Sequence, residues 1–273
     1  MKRLTDANPQ VGDVRVAYAD LDGTILGPGG SLFAGPDGSP SLAAARAIEA
    51  LHAAGIALVV MSGRTRRSAE VARALGAQAY IAELGAIIVE SFVPEEVVHN
   101  FGAFRGDGRP AEAIARSGAA GFLLERYAGK LEPVTPWSEA TIQLHGHVDA
   151  AEATAALGEA GYGWLELHDN GRLRRTYPSL DVPETRAYLL LPQGVSKASG
   201  VRLHRERHGI ARGQAVAVGD SPSDLLVSGE VGAFFLVANG VDGLGDVAWP
   251  ENAYVTTAER GVGFAEAIAT VLS

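Results

Sequence analysis

Four aspartates stand in two short segments of the chain, each directly after a run of apolar residues. Asp20 and Asp22 lie in DLDGT after the run VRVAYA, and Asp220 and Asp224 lie in GDSPSD after AVAV. The spacing places both members of a pair on one side of the chain, along an extended segment in the first pair and across a helix start in the second. If the two segments meet in the fold, the like charges destabilise it unless a cation neutralises them.

The kind of cation follows from the ligands that the chain offers. There is no Cys and no suitably placed His, and an all-oxygen set with few carboxylates suits Mg²⁺, which keeps several waters and binds phosphate. Ser62 and the backbone amides after it can hold phosphate oxygens at the start of a predicted helix, and Lys197 adds a compact positive charge. A loop acid or a helix cap explains each residue taken singly, but together they predict a site for Mg²⁺ and phosphate.

The elements that must position these residues alternate between strand and helix. Buried strands are predicted over residues 14–19, 56–61 and 79–82, and the alternation resumes with strands over 215–218 and 233–237. Nearly continuous apolar strands separated by helices are typical of a parallel sheet covered on both faces, so we expect a doubly wound, Rossmann-like α/β core. In such sheets ligands bind beyond the carboxyl ends of the strands, where the residues above lie or can reach.

The middle of the chain follows a different pattern. Residues 141–147 (TIQLHGH) alternate as in an antiparallel strand, and the pair Asn170-Gly171 predicts a hairpin turn between two extended runs. We therefore expect a smaller α+β domain over residues 87–191, inserted into a core domain formed by residues 1–86 and 192–273.

Length and composition exclude several classes of protein. The chain has 273 residues, of which 47% are hydrophobic, enough for one large or two modest folded domains. The absence of Cys excludes a disulfide scaffold, a thiolate zinc site and a cysteine nucleophile. A net charge of −9 without a basic run argues against a nucleic-acid partner. No apolar stretch approaches the roughly 20 residues of a membrane span, and the polar opening MKRLTDANPQ has no signal segment, so we expect a soluble, cytoplasmic protein without a membrane partner.

The acidic, serine and lysine segments resemble, in their order along the chain, the four motifs of the haloacid dehalogenase-like (HAD) phosphohydrolases. The matching residues are Asp20-Leu21-Asp22-Gly23-Thr24, Ser62-Gly63-Arg64, Lys197 in GVSKASG, and Gly219-Asp220-Ser221-Pro222-Ser223-Asp224. The long insertion is similar to the α/β cap of the Cof-like and sugar-phosphatase branch. The Ser-Pro pair after Asp220 is similar to mannosyl-3-phosphoglycerate phosphatases.

The resemblance implies a role for each residue of these motifs. Asp20 would be the nucleophile that forms an aspartyl-phosphate, and Asp22 the general acid and base. The implied ligands of Mg²⁺ are Asp20, the main-chain carbonyl of Asp22, Asp220, and Asp224 either directly or through water. The implied phosphate-binding residues are Ser62, Gly63, Arg64 and Lys197. The implied reaction is hydrolysis of a small phosphomonoester such as a sugar phosphate or a glycosyl-3-phosphoglycerate, with the inserted domain closing to exclude water.

Two positions depart from the pattern of the family. Many Cof-like members have Asn where this chain has Ser223, and an Asn-Gly pair where it has Leu84-Gly85. Because a serine hydroxyl still donates a hydrogen bond, we expect the support of the metal site to survive at Ser223. The change at Leu84 falls in the part of the site that, by the resemblance, faces the substrate.

Several other charged residues have a simpler explanation that competes with a functional one. His204 and His208 in HRERH stand four apart as in a zinc-protease helix, but the Glu is misplaced, which favours a solvated helix surface. For the remaining sets, packing, solvation or ion pairing competes with substrate binding; they are His145 with His147, Arg172 with Arg174 and Arg175, Arg64 alone, and Glu184 with Arg186.

The same acids permit two other functions. A sugar phosphomutase or phosphotransferase would pass the phosphoryl group from Asp20 to a second hydroxyl instead of to water. A non-catalytic phospho-signal or metabolite sensor, as in receiver domains, also gathers acids and a Lys at a sheet edge, but receivers lack an acid at the position of Asp22 and an inserted domain. The sequence gives no indication of the oligomeric state.

Overall fold

The computed structural model describes residues 1–6, 9, 11–134, 137–173, 177–245 and 247–273. The chain forms two compact units. The first unit comprises residues 1–98 and 196–273, and the second comprises residues 99–195.

The strands and helices follow one another in this order along the chain. The strands are β1 (Lys2–Arg3), β2 (Val16–Asp20), β3 (Ala57–Met61), β4 (Ala79–Ala82), β5 (Ile87–Phe92), β6 (Glu95–His99), β7 (Leu131–Val134), β8 (Ile142–Gly146), β9 (Leu165–Arg172), β10 (Arg186–Pro192), β11 (Ala215–Gly219), β12 (Ala233–Leu236) and β13 (Ala253–Val255). The α-helices are α1 (Ala43–Ala53), α2 (Ala69–Ala74), α3 (Pro110–Ser117), α4 (Ala119–Arg126), α5 (Ala150–Glu159), α6 (Lys197–Arg207), α7 (Pro222–Leu225) and α8 (Arg260–Val271).

The first unit is built on a large sheet with the strand order β1-β13-β12-β11-β2-β3-β4-β5-β6. In this order, the seven strands β1, β13, β12, β11, β2, β3 and β4 pair in parallel with their neighbours, and β5 pairs antiparallel with β4. Helices α1 and α8 pack on each other, and α6 packs against β4 and β5. The predicted doubly wound α/β fold is thereby confirmed, with an antiparallel extension at one edge.

The register of the central strands aligns the ends that carry the candidate residues. Asp20 at the end of β2 pairs with Met61 of β3, and Ala19 pairs with Val218 of β11. The chain continues from β2 to β3 on one side, whereas β11 joins β2 on the other side. This reversal of strand order creates the crevice in which α/β sheets bind ligands.

Helix α6 contradicts the expectation of a solvated surface at His204. The side chain is 5% exposed, and its Nδ1 lies 2.8 Å from the hydroxyl oxygen of Tyr18 in β2. Positions 197, 201 and 204 share one face of a helix, so His204 follows Lys197 and Val201 into the protein interior. Burial lowers the pKa of His204 to about 4, which keeps the ring neutral. His208 remains half-exposed, as predicted.

The second unit is an α+β sandwich around its own core. Its strands form an antiparallel sheet in the order β7-β8-β10-β9, against which α3, α4 and α5 pack. The core contains Ile114 and Leu123 from helices α3 and α4, and Leu144 and Tyr188 from the sheet. This unit corresponds to the different pattern that the sequence displays in its middle.

The hairpin predicted at Asn170-Gly171 is wrong. Strand β9 runs through both residues and stays paired with β10, because the extra residue is taken up by a bulge. Tyr188 of β10 pairs with Asp169, and Arg186 pairs with Arg172. Between these two pairs β9 therefore has one residue more than β10. Gly171 supplies the positive φ of 102° that the bulge requires.

The boundaries between the units differ from those predicted. Residues 87–98 belong to the first unit rather than to the insertion, because β5 and β6 extend the large sheet beyond β4. Residues 192–195 belong to the second unit, since β10 runs to Pro192. Among the helices of the described ranges, none has both the length and the apolar character needed to cross a lipid bilayer.

Candidate functional site

Three of the four aspartates come together at the carboxyl ends of the central strands. Asp20 ends β2, Asp220 follows β11, and Asp224 lies in α7. One carboxylate oxygen from each lies within 4.8 Å of those of the other two. Parallel strands that end at one edge of the sheet thus gather residues that are 200 positions apart in the sequence.

Lys197 bridges two members of this acidic cluster. Its Nζ donates hydrogen bonds to Oδ1 of Asp20 at 2.6 Å and to Oδ1 of Asp224 at 2.7 Å, and its side chain is 3% exposed. A capping box between Ser196 and Ser199 starts α6 at this residue. The ammonium group is therefore delivered by the first turn of a well-capped helix.

The cluster carries more negative than positive charge in a buried place. Burial raises the pKa of Asp20 well above its ordinary value, against the opposing effect of Lys197. Burial, followed by the charge of Asp224, raises the pKa of Asp220 to about 7. For Lys197 burial acts to lower the pKa, but Asp20 and Asp224 outweigh it and the pKa is raised. When all three carboxyl groups are ionised, the single ammonium leaves an excess of negative charge that a divalent cation would balance.

The turn after Asp22 is shaped to receive Asp220. A Cβ atom on Gly23 would lie 2.1 Å from Oδ2 of Asp220, and the backbone φ of +85° is one that side chains disfavour. Only glycine therefore allows this carboxylate to approach the DLDGT turn. The carboxylate oxygens gathered here are hard donors, which is the donor chemistry that Mg²⁺ prefers.

A second close approach places α6 against the turn after β4. A Cβ atom on Gly85 would lie 2.1 Å from the carbonyl oxygen of Ser196, so glycine is required there. The preceding Leu84 has a φ of 55°, in the left-handed region that Asn tolerates better than Leu. The departure from the family pattern at Leu84 thus falls on a strained turn. The backbone N–H of Leu84 donates a hydrogen bond to the carbonyl oxygen of Ser62 at 3.2 Å.

Asp22 lies outside the acidic cluster and pairs with Arg64. The Nε atom of Arg64 donates to Oδ2 of Asp22 at 2.7 Å, and Nη2 donates to Oδ1 at 2.5 Å. The Asp22 side chain is 51% exposed and that of Arg64 is 35% exposed. The carboxylate is thus held by both oxygens while one face stays open to solvent.

The segment Ser62-Gly63-Arg64 follows β3 as a loop, not as the start of a helix. A 3₁₀ turn covers Arg66–Ser68, and α2 begins only at Ala69. The hydroxyl of Ser62 accepts a hydrogen bond from the backbone N–H of Arg64 at 3.1 Å, which is a local turn that competes with helix formation. Ser62 is buried and adjoins the end of β2 through the pairing of β3.

Both carboxylate oxygens of Asp224 are occupied by hydrogen bonds. Lys197 binds Oδ1, and the hydroxyl of Ser221 donates to Oδ2 at 2.6 Å. The Ser223 hydroxyl lies 2.8 Å from that of Ser221, so it supports Asp224 through this neighbour. Asp224 therefore serves to orient Lys197 and the loop after β11.

Two residues at the site escaped the sequence analysis. The amide nitrogen of Asn239, after β12, donates to the carbonyl oxygen of Gly23 at 3.0 Å and to Oδ2 of Asp220 at 3.2 Å. The backbone N–H of Arg260 donates to Oδ1 of Asn239 at 2.8 Å. The available signal for Asn239 was a polar residue three positions beyond the end of a buried strand, and nothing in the sequence marks Arg260.

In the second unit, the described residues for which substrate binding was an alternative make packing contacts or ion pairs. The ring of His145 is buried, and its Nε2 lies 3.1 Å from the amide nitrogen of Gln143. Glu184 pairs with two arginines, Arg186 at 3.0 Å and Arg172 at 3.2 Å, and the ring of His147 lies 3.8 Å away. Arg174 and Arg175 lie outside the described residues.

Solved structures resemble the chain over nearly its whole length. A phosphatase of the haloalkanoate (HAD) enzyme superfamily from Bacteroides thetaiotaomicron matches with a TM-score of 0.63 and 16% identity, over 94% of this chain and 95% of that one. A haloacid dehalogenase-like hydrolase from B. subtilis matches with a TM-score of 0.60 and 16% identity, over 94% and 99% of the two chains. This chain has the HAD-like fold.

Another protein of similar fold is the sucrose-phosphatase from Synechocystis sp. PCC6803, solved in complex with sucrose and phosphate. It matches with a TM-score of 0.64 and 18% identity, over 95% of this chain and 98% of that one. The sequence matches no protein-family model and no curated protein sequence. The likeness to HAD-like proteins is therefore one of fold.

Proposed function

We propose that the chain is a Mg²⁺-dependent phosphatase that hydrolyses a small phosphomonoester through an aspartyl-phosphate. The observation that carries this proposal is the buried Asp20, whose carboxylate lies 2.6 Å from Nζ of Lys197 and next to Asp220. A carboxylate at the end of the central strand, with a fixed cation beside it, is suited to attack phosphorus in a covalent mechanism. The HAD-like fold supports the same assignment.

The residues that would hold Mg²⁺ are Asp20, Asp220 and, by resemblance to the family, the main-chain carbonyl of Asp22. Asp224 would act on the metal's surroundings instead, because both of its oxygens are already hydrogen-bonded. When bound, Mg²⁺ offsets the repulsion between the nucleophile and the phosphate dianion.

Asp20 would attack the phosphorus atom, and the ester P–O bond would break as the new bond forms. Lys197 orients the Asp20 carboxylate and favours its ionised form, because an ammonium group at 2.6 Å stabilises the negative charge. Ser62, Gly63 and Lys197 would stabilise charge on the phosphoryl oxygens, which is the main source of rate enhancement in this kind of reaction.

Asp22 would donate a proton to the departing alkoxide and then accept one from the water that hydrolyses the aspartyl-phosphate. In the ligand-free chain Arg64 binds both oxygens of this carboxylate. Asp22 must therefore be released from at least one of these hydrogen bonds before it carries a proton. Arg64 would thus control the orientation of Asp22, and its guanidinium group would also bind an anionic substrate.

For the substrate, we propose a sugar phosphate or a glycosyl-3-phosphoglycerate. The sucrose-phosphatase of similar fold was solved with sucrose and phosphate, which supports a carbohydrate leaving group. By resemblance to the family, the second unit would select this group.

The test is phosphate release from several dozen phosphorylated metabolites, with and without exhaustive chelation of Mg²⁺. Asp20→Asn should abolish turnover while the circular dichroism spectrum is retained. Asp13→Asn, at an exposed position of the same unit, is the matched control and should leave turnover unchanged. Full activity of Asp20→Asn, or activity that survives chelation, would overturn the proposal. Formation of an isomeric sugar phosphate without free phosphate would point to a mutase, and stable retention of phosphate on Asp20 to a sensor.

A further inference from the structure

Asn239 connects three segments of the first unit at the acidic cluster. It follows β12, and its side-chain amide reaches Gly23 after β2, Asp220 after β11 and Arg260 at the start of α8. We propose that Asn239 is the positioning residue that holds the Asp220 carboxylate in the orientation required for Mg²⁺. This inference rests on the proposed function, in which Asp220 binds the metal.

The orientation of the amide is fixed by the chemistry of its partners. The backbone N–H of Arg260 is a donor, so the Asn239 atom that faces it at 2.8 Å must be the carbonyl oxygen. The nitrogen then faces two acceptors, the carbonyl oxygen of Gly23 and Oδ2 of Asp220. The side chain thus donates two hydrogen bonds from its nitrogen and accepts one at its oxygen. Only an amide group can make all three at once.

Asp220 depends on this amide for its orientation. Among the described residues, Asn239 is the sole side chain that donates a hydrogen bond to the Asp220 carboxylate. Oδ2 is enclosed by the amide and by the Gly23 backbone, so Oδ1 is the oxygen left available to a cation. Without the amide, no described side chain would donate a hydrogen bond that opposes rotation of this carboxylate.

Arg260 holds Asn239 in turn. Its backbone φ of 51° is unusual for a residue with a side chain, and this conformation directs its N–H at Asn239. The guanidinium group donates to the carbonyl oxygen of Pro36 at 2.5 Å, and its side chain is 12% exposed. A strained backbone anchored at both ends is typical of a place where the structure must fix a functional group.

Loss of the amide should weaken Mg²⁺ binding. Partners that orient a metal ligand through a hydrogen bond typically change metal affinity by about tenfold to a hundredfold when they are replaced. Asn239→Leu keeps most of the volume and removes both donors and the acceptor. Asn239→Ser is the smaller, polar second variant for the case in which the leucine does not fold.

Asn252 offers a matched control in the same unit. Its amide nitrogen donates to the carbonyl oxygens of Ser228 at 2.9 Å and Val231 at 3.0 Å, so it also joins segments of backbone. It makes no contact with the acidic cluster in the hydrogen bonds that the structure describes. Asn252→Leu should therefore lower stability without changing the affinity for Mg²⁺.

The experiment is calorimetric titration of the full-length chain with MgCl₂, combined with phosphate release as a function of Mg²⁺ concentration. We expect the dissociation constant of Mg²⁺ to rise at least tenfold in the Asn239 variants and to stay within twofold in Asn252→Leu. Turnover at saturating Mg²⁺ should recover most of the wild-type value, which a merely destabilised variant would not explain. Equal Mg²⁺ affinity in wild type and a folded Asn239 variant overturns this inference alone. Failure of the wild type to bind Mg²⁺ overturns the proposed function together with it, whereas binding without phosphate release overturns only the proposed reaction.

Discussion

The Nζ atom of Lys197 lies 2.6 Å from Oδ1 of Asp20, although 177 positions separate the two residues in the chain. Both side chains are buried, and the same ammonium also binds Asp224. Each charge in this group depends on the others, because a buried ion that loses its partner keeps its full desolvation penalty. Lys197 therefore holds this group of charges together, and under the proposed function it also takes part in the reaction.

Replacing Lys197 with Met should lower stability and activity together. Removal of one partner from a buried ion pair typically lowers the free energy of unfolding by about 3 kcal/mol, and loss of a charge-stabilising donor lowers kcat by about a hundredfold or more. Urea unfolding and phosphate release measure the two effects. Lys130→Met, at an exposed position, is the control and should change neither. Wild-type turnover in a folded Lys197→Met variant would remove Lys197 from the mechanism.

Replacing Arg64 with Lys should impair catalysis with little effect on stability. A lysine ammonium cannot reproduce the two parallel hydrogen bonds that fix the half-exposed Asp22 carboxylate. We expect kcat/KM to fall by about tenfold, because the acid and base group is no longer oriented. The exposed pair of Arg66 and Glu95 supplies the control, since Arg66→Lys changes a similar pair nearby. Equal losses in both variants would mean that a general effect of replacing an ion-paired arginine, and not the orientation of Asp22, is responsible.

Much of the core could be predicted from the sequence, because its signals are local. The run at 79–82 is a strand with those bounds, and the acids stand at strand ends as expected. Parallel topology then brings Asp20 and Asp220 to one edge of the sheet without further information.

The remainder depends on partners that are distant in the sequence. The pair Asn170-Gly171 has a strong turn signal, yet continuous pairing with β10 converts it into a bulge. His204 lies on a helical face that begins with the charged Lys197, so hydrophobic periodicity does not reveal its burial. Asn239 acquires its role only when three loops meet around its amide.

Acid should destabilise the protein through His204. The pKa of this ring in the folded chain is about 4, below the ordinary value of 6.5, because burial disfavours the charged form. The unfolded chain therefore binds a proton first, so the contribution of His204 is complete above pH 6.5 and is lost as the pH falls towards 4. We expect this contribution to amount to about 3 kcal/mol of unfolding free energy.

The measurement is urea unfolding of the wild type and His204→Gln between pH 7 and pH 4. Glutamine does not titrate, so the difference between the two proteins isolates the histidine from the carboxylates that also titrate in this range. His208→Gln is the control, since that ring is half-exposed. A difference between wild type and His204→Gln that stays constant across the range would refute the assignment.

Gly23→Ala should disable the site while leaving the rest of the fold intact. The added Cβ atom would lie 2.1 Å from Oδ2 of Asp220 at a backbone φ of +85°, so the turn, the carboxylate or both must move. Because Asp220 and the Asp22 carbonyl would both bind Mg²⁺, we expect metal affinity and turnover to fall by about a hundredfold. Gly12→Ala adds the same methyl group where no atom lies within 4 Å, and it should be neutral. Calorimetric titration with MgCl₂ compares the two, and wild-type affinity in Gly23→Ala would show that the close approach to Asp220 is not needed for the metal.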